Sequence, residues 1–248
     1  MNFKSFVWIV LFSIGLKPTV NAQDTLGGIV TDQIWLDYKV SYPLSKKVNF
    51  HGDFGARTIF PNEWYRYVIR PSISYKLPKR FLPNLYHNSQ LTGGVGFFYT
   101  HNLSESNRLK IRPFQGIKVT WPDRPKINIW HYVRLEERFD IETTNWKNTF
   151  GLRLRYQAEM VLFLKGEWLS FNDGVYIPVG LELFWNLIGV KQFNDAVRIT
   201  PGIGKEFSPS WKGEFGLGYF YTRNTVEDVF GTNDIVFRLR VFHTFLKL

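Results

Sequence analysis

The stretch "HYVRLEERFDI" (His131 to Ile141) alternates apolar and charged residues nearly one for one, and "FGLRLRYQAEMVLFL" (Phe150 to Leu164) does so for longer. In the second, Phe150, Leu152, Leu154, Tyr156, Ala158, Met160 and Leu162 share one face, while Arg153, Arg155, Gln157 and Glu159 share the other. Successive side chains of a β-strand point to opposite faces, so this period reads as a ribbon with one apolar and one charged side. The same sorting sets Tyr65, Tyr67, Ile69, Ile73 and Tyr75 against Arg66, Arg70, Ser72, Ser74 and Lys76. Near the end of the chain it sets Ile235, Phe237, Leu239, Val241 and Phe245 against Arg238 and Arg240. Helical spacing of apolar residues is poor almost everywhere.

The pattern predicts about twelve strands, over 33–42, 48–58, 64–77, 90–101, 108–121, 128–141, 148–164, 166–172, 175–186, 196–207, 211–223 and 234–246, with ten as the alternative count. The eighth is split from the ninth at Asp173-Gly174, a two-residue hairpin signal. An even number brings both termini to the periplasmic side, together with "NDG" (172–174) and "SPSW" (208–211). It puts "PKRFLPNLYHNS", "PDRPKIN", "LIGVKQFND" and "NTVEDVFGT" outside. Strands of this length exceed the ~5–6 residues usual in globular sheets and suit the ~9–11 residues of a transmembrane strand.

The amino terminus places Lys4 before the apolar run Phe6 to Leu16 and then "TVNA", a small-residue cleavage pattern ending at Ala22. Residues 1–22 read as a secretory signal peptide, because an 11-residue apolar run is too short for a spanning helix, which needs ~20 residues. Residues 23–248 then form one domain. Beyond residue 22 no long apolar window occurs, so a membrane location requires a closed barrel, the other structure that satisfies every backbone polar group in lipid. The predicted fold is therefore an all-β, transmembrane, antiparallel up-and-down β-barrel in the outer membrane. Its insertion would call on the barrel-assembly machinery, and its surroundings would be outer-membrane lipid and lipopolysaccharide.

Composition sharpens this picture. Aromatic residues make up 18% of the chain, with 23 Phe, 12 Tyr and 9 Trp, an excess that suits aromatic girdles at two membrane interfaces. Trp35, Trp64, Trp121, Trp130, Trp168, Trp185 and Trp211 lie near predicted strand ends and read as girdle residues. The formal charge is +10, and loss of Lys4 and Lys17 with the leader lowers it to +8. Export argues against nucleic acid and leaves lipopolysaccharide or a small anionic solute as partners. Without cysteine, neither disulfides nor thiolate metal sites are available.

Five segments together resemble a known family: "QIWLDYKVSYPLSKKVNF", the Arg-Pro of "VIRPSISYKL", "IRPFQGIKVTW", "HYVRLEERF" and "GLRLRYQ". They span nearly the whole exported chain and are similar to the Gram-negative outer-membrane barrels grouped as domain of unknown function 2490. The resemblance implies a barrel fold and outer-membrane location. It implies no activity and supplies no catalytic residues.

On the charged face, Arg112, Arg134, Glu136, Arg138, Asp140, Arg153, Arg155 and Glu159, with Lys110 and Lys118, project inward from three consecutive predicted strands. Two readings stand. They form an ion-pair network that fills a narrow lumen, or together with Arg57, Arg66, Arg70, Arg198, Arg238 and Arg240 they make a pore or pocket attractive to anions.

Catalysis finds little support in the sequence. Glu136 and Asp140 share a face but stand ~13 Å apart, beyond the ~5–9.5 Å of paired glycosidase carboxylates. The histidines are scattered without metal-ligand spacing, and His131 and His243 fall on the apolar face. The glycines of "SQLTGGVGFF" precede no helix; Gly93, Gly94 and Gly96 read as a bend or a close strand approach rather than a phosphate loop. No cofactor is called for. A lipid-modifying barrel enzyme, of acyltransferase or phospholipase type, is the alternative, since such sites are joined only by the fold.

Overall fold

The computed structural model describes residues 30–60, 64–78, 89–103, 106–123, 127–164, 174–188, 195–223 and 230–246. The signal-peptide reading of 1–22, Trp168 and the predicted strand 166–172 lie outside the described residues. Twelve strand segments make up the fold: β1 (Val30–Pro43), β2 (Val48–Phe60), β3 (Trp64–Ile69), β4 (Ser72–Lys76), β5 (Gln90–Asn102), β6 (Arg108–Asp123), β7 (Ile127–Glu142), β8 (Asn148–Phe163), β9 (Val175–Ile188), β10 (Asp195–Ser208), β11 (Trp211–Arg223) and β12 (Phe230–Thr244). Among the described residues no helix is long and apolar enough to cross a membrane.

β3 and β4 occupy one position in the barrel. Both lie between β2 and β5, β3 against Phe54–Thr58 and β4 against Val48–His51. The break falls at Arg70-Pro71, where proline has no N–H to give the ladder. The ladder closes around it through Arg70 N–H to Asp53 O (2.8 Å) and Val95 N–H to Pro71 O (3.1 Å). On the neighbouring strand Gly94 makes room: a Cβ there would lie 2.5 Å from Pro71 O and 2.6 Å from Ser72 Cβ.

Consecutive segments pair antiparallel around eleven positions, and β1 closes the barrel against β12 in parallel, Val30 beside Asn233 through Ser41 beside Thr244. An odd number of alternating strands makes first and last run the same way, so the seam is necessarily parallel.

The all-β barrel matches expectation, but two details of its strand count do not. β8 pairs directly with β9, Leu162 beside Ile177 and Phe163 beside Tyr176, so no strand stands between them and the even count fails. Gly174 does turn the chain, at φ 84°, yet it ends the β8–β9 connection instead of opening a separate hairpin. The predicted sorting of connections fails with it. β1 begins at what we call the near rim and ends at the far rim. The segments 78–89 and 122–128 join strands at the far rim, as "NDG" and "SPSW" do, whereas 187–195 and 224–232 join strands at the near rim.

Alternation sorts the residues as read. Leu36, Ile73, Leu181, Leu217 and Leu239 face outward and are exposed, whereas Trp35, Phe220 and Val236 meet inside, the two rings 5.1 Å apart and T-shaped.

Candidate functional site

The interior is built from the even-numbered residues of β3 to β7 and of β9 to β12, and from the odd-numbered residues of β1, β2 and β8. Glu136 on β7 is its most connected carboxylate. It accepts from Arg153 Nε at 2.9 Å and is ion-paired to Arg134, with Arg155 Nη1 at 3.8 Å. Arg155 bridges onward to Glu182 of β9 at 2.5 Å, and Arg198 of β10 reaches the other Glu182 oxygen at 3.4 Å. Register explains the contact: Glu136 stands beside Arg153, and Arg155 diagonally beyond it, on the adjacent strand.

Two further groups complete the charged interior. Around β1, Arg238 donates to Asp37 at 2.5 Å, Arg57 lies 3.9 Å from the same carboxylate, and Arg70 pairs with Asp53. The Arg57 guanidinium also rests 3.7 Å over the Trp35 ring. Toward the far rim, Arg240 joins Glu214 (2.7 Å) to Glu159 (3.4 Å), Trp130 donates to Glu159 at 3.2 Å, and Tyr176 donates to Glu214 at 2.8 Å.

The eight residues singled out in the sequence therefore do not form one cluster. Arg134, Glu136, Arg153 and Arg155 come together. Arg138 donates to Asn186 at 3.2 Å, Asp140 is held by Lys110 (2.8 Å) and Arg108 (2.9 Å), and Glu159 belongs to the far-rim group. Arg112 stands over Phe98 at 4.1 Å and, among the described residues, has no carboxylate within ion-pair distance. Sequence reasoning missed Asp37, Asp53, Glu182 and Glu214 as partners, although each shares the inward parity of its strand.

Two cavities occupy the interior. The near-rim chamber, about 430 Å³, is lined by ten arginines and Lys110 against only three carboxylates, Glu136, Glu182 and Asp234. The far-rim chamber, about 540 Å³, is more balanced and includes Lys39, Asp53, Glu159, Lys212, Glu214 and Arg240. Arg70, Phe114, Arg134, Arg155, Glu182 and Arg238 line both, so this layer of side chains divides the lumen.

Among the described residues the interior offers no assembled nucleophile. His51 and Ser74 lie 2.9 Å apart, but Ser74 is only 2% exposed and Asp53, the nearby acid, is engaged by Arg70. Among the described residues no group of three His, Asp or Glu is arranged to hold a metal.

The tryptophans read as girdle residues divide between the two faces. Trp121, Trp185 and Trp211 face outward, whereas Trp35, Trp64 and Trp130 line the interior. The physical reason lies in parity: Trp35 shares the face of Gln33 and Asp37, and inner cations such as Arg57 offer its ring a partner.

A family profile described as protein of unknown function (DUF2490) matches residues 32–231, which runs from the third residue of β1 through β11 and stops at the start of β12. The chain belongs to this family. Membership in DUF2490 agrees with the segments noted in the sequence and carries no assigned activity. No curated protein and no solved structure matches this DUF2490 chain.

Proposed function

We propose that this chain is an outer-membrane β-barrel whose cation-rich lumen admits small anionic solutes through a narrow, ion-paired waist. The observation that carries the reading is the opposition of the two faces at each strand. The outer face is apolar from Trp211 to Tyr219 on β11, nine residues spanning ~27 Å of strand, and with a tilt of ~40° this approaches the ~25 Å apolar band of barrels in lipid. Exposed Tyr42, Tyr75, Trp121 and Trp211 lie near the far rim and Tyr67, Tyr99 and Trp185 toward the near rim, the two levels at which amphipathic rings favour headgroups.

Inside, arginine outnumbers carboxylate, so an anion entering the lumen finds fixed donors and a favourable potential. The waist residues are themselves paired, and solute size is limited to what passes between them. Purified protein in planar bilayers should give small, discrete, anion-selective conductance. Arg134→Ala should lower the anion preference, because it removes a waist cation. Silence at all voltages would discard passage as the function.

A further inference from the structure

We propose that the near-rim chamber is a binding site for a small tetrahedral oxyanion of the phosphate or sulfate class, with Arg112 as its principal ligand. This rests on the charged-lumen reading but does not require that any solute pass.

The cations of the chamber are unequally paired. Most cations of the chamber share acids: Arg134, Arg153 and Arg155 all lean on Glu136, and Arg57 and Arg238 on Asp37. Arg112 has none. Its Nε is buried without a hydrogen-bond partner, and its one described contact is the face of Phe98. Arg138, Arg153 and Arg66 line the same chamber and repel it, with Glu136 the carboxylate that offsets them most.

Register makes the crowding unavoidable. Ile111 stands beside Phe139 and Phe114 beside Glu136, which puts Arg112 and Arg138 at one level on adjacent strands with both side chains inward. Like charges placed so are destabilising. On the other side Arg112 faces Gly96, which has no side chain to supply a counter-charge. Arg66 also lines the chamber and donates Nε to the neutral Thr100 hydroxyl at 2.8 Å.

A buried surplus of guanidinium is favourable only when an anion joins it. Guanidinium groups donate in a planar fork that matches phosphate oxygens in pairs. An oxyanion with four acceptors can bridge several forks at once, and about 430 Å³ accommodates such an ion with water around it but not a lipid.

Equilibrium dialysis of the detergent-solubilised full chain against radiolabelled inorganic phosphate tests this, with chloride holding ionic strength constant. The site predicts saturable binding of one phosphate per chain. Arg112→Gln should weaken it about tenfold or more, the loss of one charge-assisted contact. Arg66→Gln should weaken it less, and Lys47→Gln, in the far-rim turn, should leave it unchanged. Far-UV circular dichroism checks folding; should Arg112→Gln fail to fold, Arg66→Gln decides.

Absence of saturable binding to the wild type overturns the site, as does wild-type affinity in Arg112→Gln, or in Arg66→Gln should Arg112→Gln not fold. A silent bilayer together with intact dialysis binding would refute passage alone. Conductance without dialysis binding would refute the site alone.

Discussion

At the scale of single residues, the interior separates carboxylates that hold several arginines from arginines that no carboxylate holds. Glu136 is 2% exposed and serves three guanidinium groups. Glu136→Gln removes the charge that compensates them, and loss of one partner from a buried ion pair costs about 3–5 kcal/mol. Arg112→Gln breaks no ion pair, so its cost should stay under about 1 kcal/mol in phosphate-free buffer. Urea unfolding in detergent should show a large fall in midpoint for the first and a small change for the second; equal falls would contradict this division of roles. Much of this was legible in the sequence, because parity alone put Arg134, Glu136, Arg153 and Arg155 on one face. Which acid each arginine meets was not. Arg155 reaches Glu182 through the β8–β9 register, and Asp37 meets Arg238 only because the barrel closes, two facts that alternation within one strand does not contain.

At the scale of elements, local backbone chemistry explains both what the pattern revealed and where it misled. Arg70-Pro71 breaks a strand that the alternation read as continuous over 64–77, since proline keeps its place in the ribbon while withholding its N–H. Gly94 accommodates the break, and Gly94→Ala forces a methyl against Pro71 O and Phe114 Cζ (2.8 Å). Overpacking of this kind costs about 1–3 kcal/mol, which a lower thermal or denaturant midpoint would register. In the β7–β8 turn, Trp146 is exposed and holds φ 58°, a left-handed conformation that a residue with a Cβ adopts at a cost of ~1–2 kcal/mol. Trp146→Gly should therefore raise stability by about 1 kcal/mol, and a lower midpoint would show that the ring contributes more than the strain removes. Asp-Gly at 173–174 misled for a related reason. The dipeptide marks a turn, but a turn signal does not say which two strands it joins, and direct pairing of β8 with β9 removes the extra strand.

At the scale of the whole molecule, closure converts the alternating ribbons into a cylinder with no free sheet edge. The parallel seam follows from an odd count, and the count depended on a single connection, which is why the fold class was readable while the arrangement of connections at the two rims was not. The proposed location in a membrane rests on the outward residues. An arginine placed among them should be costly: Leu217→Arg, in the middle of β11, would lose about 2–4 kcal/mol if that position sits near a bilayer midplane, and little if it faces water. Folding yield into liposomes reports the difference.

The absence of native cysteine makes the central claim directly measurable. Single variants Phe215→Cys, Leu217→Cys and Tyr219→Cys, each carrying a nitroxide and reconstituted in liposomes, report collision with dissolved oxygen and with a water-soluble nickel chelate. Trp146→Cys, in the β7–β8 turn, serves as the aqueous reference. With β11 facing lipid, the three β11 labels should be open to oxygen and closed to nickel, with the reverse at 146. Nickel access at Leu217→Cys equal to that at the turn would contradict it.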